Sequence, residues 1–278
     1  MRYTFLTISL LLLLPTQAWA FSPSDADFSA KSGVVIDDQG KFIFQKGDDT
    51  RIEPASVTKL LSTYVALKSG FNPKKQVVID AKDNQGGSSL PIRSGTKLTC
   101  KDILYSALIM SANNSATSIY KCTGLSKTKF LKKMNDTAIE LGATNSKFLD
   151  LSGLSDHNYT TARDLGLISA AAFKEKQISD ILKIPKHVVR TIAKKPLSYT
   201  IKNTNAIIQD HLVGGMIGKT GYLTQVGHNF AAKYTSPDKK DYTIVLLGNP
   251  SRAEMFDNLR ITAMWADTQS QNEHISQK

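Results

Sequence analysis

Two apolar runs near the start of the folded region, Gly33-Val34-Val35-Ile36-Asp37 and Lys41-Phe42-Ile43-Phe44-Gln45, flank Asp38-Gln39-Gly40 and predict a hairpin. The spacing then changes. From Ser56 to Lys68, Val57, Leu60, Leu61, Tyr64, Val65 and Leu67 recur at near-helical intervals over a broad surface, which predicts a helix buried on most sides. Val77 to Thr99 reads as short strands and turns, with a loop at Asn84-Gln85-Gly86-Gly87-Ser88-Ser89. Helices resume over Lys101 to Met110, pause at Ser111-Ala112-Asn113 and continue from Asn114 to Lys121. Two more fit Lys127 to Leu141, stopped by Gly142, and Thr161 to Phe173, capped by Thr160 or Thr161 with Asp164 in the first turn. Gly215 to Thr220, Val226 to Tyr234 and Tyr242 to Leu247 read as strands, the last two joined by a turn at Ser236-Pro237-Asp238-Lys239-Lys240, before a final helix from about Arg252 to Trp265. Strands at both ends with helices between them imply an α+β fold, an antiparallel sheet assembled from both chain ends with helices on both sides and a helical subdomain.

The first residues carry another pattern. Met1-Arg2 precedes the apolar run Leu10 to Leu14, and Ala18-Trp19-Ala20 leads into polar Phe21-Ser22-Pro23-Ser24-Asp25, the form of a cleaved signal peptide over residues 1–20. The run is too short for a span of roughly 20 residues and is broken by Pro15. No Cys follows the cleavage region, and no later segment is apolar for long enough to cross a bilayer, so no membrane anchor is evident. A secreted protein, periplasmic or held in the cell envelope, is expected, with one domain over residues 21–267 and a polar tail over 268–278.

Composition adds little to the fold and something to the partner. The 278 residues are 41% hydrophobic, as in an ordinary globular protein, and carry a formal charge of +11. Outside the cell that excess suits anionic envelope polymers or an acidic peptide. The lysines are dispersed and no basic helix interleaved with aromatics occurs, so no nucleic acid is expected as a partner. Cys100 and Cys122 lie in a compartment that permits oxidation. A single straight helix between them would hold them roughly 30 Å apart and forbid a disulfide, whereas a bend would permit one. His157, His187, His211, His228 and His274 show no paired ligand spacing, so neither a metal nor any other cofactor is expected.

Three short motifs carry the chemistry: Ser56-Val57-Thr58-Lys59, Ser111-Ala112-Asn113 and Lys219-Thr220-Gly221. Ser-x-x-Lys alone is weak, since it recurs at Ser94, Ser118, Ser126 and Ser236. Only Ser56, however, opens a strongly apolar helix, only Ser111 interrupts a helix pair, and Lys-Thr-Gly rides on a predicted strand. A serine hydroxyl needs a base, and an amine serves if burial or nearby positive charge lowers its pKa. Three residues apart on a helix, Lys59 reaches the Ser56 hydroxyl, and the unpaired N–H groups of the first turn favour an oxyanion beside it. Ser111 and Asn113 can direct a proton-relaying hydroxyl and a substrate-holding amide into one cleft. Lys219 supplies charge, Thr220 a hydroxyl for a substrate carboxylate, and Gly221 a residue without Cβ along which a ligand can lie. The N–H groups of Ser56 and Tyr222 are the candidate oxyanion hole.

The motif set resembles the serine DD-peptidase and penicillin-binding family, and within it the low-molecular-mass D-alanyl-D-alanine carboxypeptidases and endopeptidases. Gly153-Leu154 with Tyr159-Thr160-Thr161-Ala162-Arg163-Asp164, and Lys202-Asn203-Thr204-Asn205, extend the likeness, which runs from about Lys31 to Ala266. It implies a β-lactamase/transpeptidase-like fold and catalytic Ser56, Lys59 and Ser111. It further implies substrate binding by Asn113, Lys219, Thr220 and Gly221, peptidoglycan stem peptides as substrates, and β-lactam antibiotics as covalent inhibitors. Asn114 stands where many relatives carry Asp, a change of little expected consequence. Gly227-His228 resembles the shorter endopeptidase subgroup. Two other readings stay beside this one. A class A-like β-lactamase requires a Glu-x-x-Leu-Asn loop, which none of Glu53, Glu140, Glu175, Glu254 or Glu273 begins. A non-catalytic peptidoglycan-binding protein would need lost chemistry, yet every motif hydroxyl and amine is present.

Overall fold

The computed structural model describes residues 28–208, 214 and 216–276. The expected leader, Gly215 and the side chains of His211 and His274 lie outside the described residues. The predicted hairpin forms from β1 (Ser32–Ile36) and β2 (Phe42–Lys46), and Asp37 closes its turn by accepting the N–H groups of Gln39 and Lys41 at 3.0 and 2.8 Å. A one-turn 3-10 helix, Ala55–Val57, runs directly into α1 (Thr58–Leu67). Ser56 therefore sits in the 3-10 turn ahead of the α-helix and not within its first turn, as the apolar spacing alone had placed it.

The central block follows as β3 (Gln76–Ile79), β4 (Thr96–Thr99), α2 (Cys100–Ile109), α3 (Asn113–Ser118), α4 (Lys127–Glu140), α5 (Ala162–Lys174) and α6 (Lys176–Leu182). Thr99, Ser126 and Thr161 cap α2, α4 and α5 through their hydroxyls. A second hairpin, β5 (Lys186–Arg190) with β6 (Ser198–Lys202), precedes β7 (Ile217–Leu223), β8 (Gly227–Thr235), β9 (Asp241–Asn249) and α7 (Arg252–Ser276). The main sheet has the order β2-β1-β9-β8-β7 with antiparallel neighbours throughout, so the first and last strands of the chain lie side by side at its centre.

Alternation along these strands builds two cores. Val34, Ile36, Val245 and Leu247 face a core shared with Leu60, Leu61, Ile103 and Leu165 of the helices. Val35, Ile244, Leu246 and Phe230 face the other way, onto Met255, Leu259 and Trp265 of α7. Each fully buried Leu stabilises by about 2 kcal/mol. This is the α+β arrangement expected from the chain pattern, and it agrees with the β-lactamase/transpeptidase-like fold that the resemblance implied.

Three details differ from expectation or resolve it. The α6 helix and the β5–β6 hairpin were not anticipated, because Lys176 to Lys202 mixes Lys residues with short apolar pairs and offers neither period for long. The last helix continues past Trp265 to Ser276. Finally, Cys100 and Cys122 are bonded, with Cα atoms 5.6 Å apart. The α2–α3 break at Ser111, whose φ is +64°, supplies the bend that brings the two cysteines together.

Candidate active site

Three elements converge at one end of the sheet: the 3-10 turn ahead of α1, the α2–α3 break, and β7. Ala55, with φ +50°, turns the chain so that Ser56 reaches the surface while Val57 and Lys59 stay buried. Gly221 of β7 lies against this turn. A Cβ there would stand 3.0 Å from Pro54 O and 3.2 Å from Ser56 N, so a side chain would force the strand and the turn apart by a few tenths of an ångström. Ser56, Ser111, Asn113, Thr220, Gly221 and Tyr222 line a single cleft of about 360 Å³, and Lys59 and Lys219 are fully buried behind it. Every residue singled out from the three motifs, and Tyr222 with them, is thus gathered in one place.

The lysine beside Ser56 is held from three directions. Its Nζ lies 2.7 Å from Ser56 Oγ, 2.8 Å from Asn113 Oδ1 and 2.7 Å from Ser152 O. The last two are carbonyl oxygens and can only accept. A neutral amine has two N–H groups for those carbonyls, which leaves its lone pair directed at the one partner able to donate, the Ser56 hydroxyl. Burial lowers the Lys59 pKa to about 7, and Asp150 opposes that fall. The neutral form is therefore well populated at neutral pH.

The second lysine is arranged differently. Lys219 Nζ donates to Ser111 Oγ at 2.7 Å and Thr220 O at 2.9 Å. Burial, then the charge of Lys59, push its pKa well below the usual ammonium range. Two buried cations this close disfavour each other, and an arriving carboxylate would favour protonation of both. Thr220 Oγ1 bonds Thr204 Oγ1 at 2.7 Å, and Arg252 fixes Thr204 by donating to its carbonyl at 2.7 Å. His228 lines the same cleft with its ring 4.6 Å from that of Tyr222, and burial followed by the Arg252 charge lowers its pKa.

Several supporting residues were missed or undervalued in the sequence. Asp150 accepts from Ser152 N, Ser152 Oγ, Gly153 N, Leu154 N, Ser155 N and Asn158 Nδ2, so one carboxylate shapes the whole 150–155 loop. That loop delivers Ser152 O to Lys59 and sets Gly153 against Ala55. A Cβ on Gly153, whose φ is +85°, would lie 1.8 Å from Ala55 O. Asn114 has more to do than its place beside the motif suggested. It accepts from Leu90 N and donates to Leu90 O and Asn84 Oδ1, pinning the loop that carries Gly87 and Ser88 into the cleft. Asn113 holds the same loop, with one of its two amide N–H groups donated to Gly86 O at 2.8 Å. Asp150 and Arg252 lie outside all three motifs, so spacing gave no signal for either. Among the described residues, no three His, Cys, Asp or Glu side chains come together as a metal site.

A buried lysine aimed at a half-buried serine, with a second lysine on the facing strand, is the arrangement expected of a serine peptidase of the penicillin-binding class. The family model for D-alanyl-D-alanine carboxypeptidases matches residues 19–251, and the chain belongs to that family. It is 30% identical over 203 residues to a D-alanyl-D-alanine endopeptidase of Haemophilus influenzae, covering 72% of this chain and 68% of the relative. A D-alanyl-D-alanine endopeptidase of Pseudomonas aeruginosa is 28% identical over 252 residues, covering 88% and 80%. The solved structure of the Streptomyces K15 DD-transpeptidase superposes with a TM-score of 0.79 at 25% identity, over 85% of this chain and 97% of that one. No described helix is long and apolar enough to cross a membrane.

Proposed function

We propose that the protein cleaves D-alanyl bonds of peptidoglycan stem peptides in the cell envelope, after export, through an acyl-enzyme on Ser56. The observation that carries this reading is the buried Lys59 amine 2.7 Å from Ser56 Oγ, with its pKa lowered to about 7. Neutral Lys59 takes the hydroxyl proton as Ser56 Oγ attacks the carbonyl of the penultimate D-Ala. The carbonyl oxygen becomes an oxyanion held by the N–H groups of Ser56 and Tyr222, one such donor being worth about 2.7–4 kcal/mol. Collapse breaks the C–N bond, and the leaving amine receives its proton from Lys59 or by way of Ser111. Water then attacks the ester and frees Ser56.

Lys219, Thr220 and Arg252 supply the positive charge and hydroxyl for the carboxylate of the leaving residue. That carboxylate is present both on a terminal D-Ala and on the diamino acid of a cross-link, so carboxypeptidase and endopeptidase action use the same pocket. The names of the two relatives favour the cross-link. A β-lactam presents its ring amide to the same serine, but its leaving nitrogen stays tethered. Among the described residues no Asp or Glu side chain lines the cleft to activate water against that tethered adduct, so the adduct persists and the antibiotic acts as an inhibitor.

Incubation of the mature protein with defined monomeric and cross-linked muropeptides tests the reading, alongside fluorescent penicillin. Cleavage at D-Ala and labelling of the wild type but not of Ser56→Ala are expected. Rapid turnover of penicillin would turn the assignment to a β-lactamase, and absence of both labelling and cleavage would favour a non-catalytic wall binder.

A further inference from the structure

Beyond the cleft, a larger concavity of about 720 Å³ lies between the tip of the β5–β6 hairpin and the 91–97 loop. Arg93, Lys97 and Lys195 line it, all three exposed, and none of them makes an ion pair or a side-chain hydrogen bond to a described residue. Their surroundings contain no counter-charge in sequence either, since residues 84–101 and 181–209 include no Asp or Glu. The outward face of the hairpin adds Lys186, Arg190 and Lys202. Leu197, 59% exposed, and Tyr199 give the groove an apolar patch. The walls are fixed to each other, because Ile192 N donates to Lys97 O at 2.9 Å.

Two separate segments join this groove to the cleft. The loop between β3 and β4 lines the cleft with Gly87 and Ser88 and the groove with Pro91 and Arg93. The β6 segment lines the groove with Leu197 and Tyr199 and reaches the cleft at Thr204. From Ser88 to Pro91 the chain covers at most about 10 Å, and from Tyr199 to Thr204 about 16 Å, while an extended tetrapeptide reaches about 14 Å. A peptide attached to a substrate in the cleft can thus extend into the groove.

We propose that this groove is an accessory substrate site that holds the second, carboxylate-bearing stem peptide of a cross-linked muropeptide. The inference rests on the peptidase reading and deepens it. A concave channel between two chain segments suits an extended peptide better than a flat lipid surface, and unpartnered cations beside Leu197 and Tyr199 suit a chain that alternates carboxylates with methyl groups. Its contribution is to favour cross-linked over monomeric substrate, without touching the reacting atoms.

The test compares full-length mature wild type with Arg93→Gln/Lys97→Gln/Lys195→Gln. Three exposed charge contacts predict roughly a tenfold loss of kcat/KM on a cross-linked dimer, with acylation by fluorescent penicillin and cleavage of a monomeric pentapeptide unchanged. The wild-type preference for the dimer should fall as salt rises, and should fall equally when the carboxylates of the second stem are amidated. Equal cleavage of the dimer by the two proteins, in a preparation that penicillin labels, overturns the groove and leaves the peptidase reading standing. So does salt-sensitive binding to phosphatidylglycerol vesicles that the triple substitution abolishes while dimer cleavage stays at the wild-type rate. Failure of the wild type to react with penicillin or with any muropeptide removes the peptidase reading, and the accessory site with it.

Discussion

Replacement of Asp150 by Asn separates the geometry of the base from its electrostatics. Each carboxylate oxygen accepts three hydrogen bonds: Oδ1 from Ser152 N, Gly153 N and Asn158 Nδ2, and Oδ2 from Leu154 N, Ser155 N and Ser152 Oγ. A carboxamide has one oxygen, so whichever way it turns, three bonds lose their acceptor and two backbone N–H groups face an NH2. At about 1–3 kcal/mol for each stranded donor, partly relieved by water, the variant should lose about 2–5 kcal/mol of stability. For a domain of this size that is roughly 5–15 °C in Tm. Relaxation of the loop also moves Ser152 O, 2.7 Å from Lys59 Nζ in the native protein, and a misplacement of about 1 Å costs acylation up to about 100-fold. The charge effect has its own signature. Asp150 raises the Lys59 pKa against the larger effect of burial, so its loss lowers that pKa further and populates the neutral base at more acidic pH. Stopped-flow acylation by a fluorescent penicillin across pH should show a lower plateau together with a midpoint displaced to lower pH than in the wild type. Acylation at the wild-type rate with an unmoved midpoint would refute the argument that this carboxylate sets the position and basicity of Lys59.

Two further substitutions probe the frame of the site. Gly153→Ala places a Cβ 1.8 Å from Ala55 O at a φ of +85°, so the loop must move off the 3-10 turn, and penicillin acylation should fall at least about tenfold even where circular dichroism reports a folded protein. Cys100→Ser/Cys122→Ser opens a cross-link between residues 22 apart, which should cost about 3 kcal/mol in denaturant unfolding while acylation of the folded fraction stays near the wild-type rate.

The sheet was legible because Val34 to Ile36 and Ile244 to Leu247 are buried on both faces and read as continuous apolar runs, which few other structures produce. Helix α1 was legible for the same reason, since its apolar positions recur on nearly every side. The site could be read because chemistry limits its residue types: Ser56 needs Lys59 within one turn, and Gly221 runs so near the 3-10 turn that an added Cβ would stand 3.2 Å from Ser56 N. What stayed hidden is long-range. Asp150 and Lys59 are joined only through a loop fold that neither residue's neighbours in sequence announce. Arg252 reaches Thr204, 48 residues away in sequence, and the hydroxyl pair Thr204–Thr220 forms only when β7 lies beside that segment. Ser56 was displaced from its expected helix by the φ of +50° at Ala55, a conformation that nothing in the local sequence demands.

The account depends on an uncharged Lys59 amine receiving the Ser56 proton, and the pH dependence of acylation measures that directly. The rate constant for penicillin acylation should rise with pH around a midpoint of about 7, because the reactive form is the deprotonated one. The adduct should map to Ser56, and Lys59→Arg, whose guanidinium stays protonated, should be unreactive. An acylation rate flat across that midpoint, or a Lys59→Arg variant that labels as fast as the wild type, would contradict it.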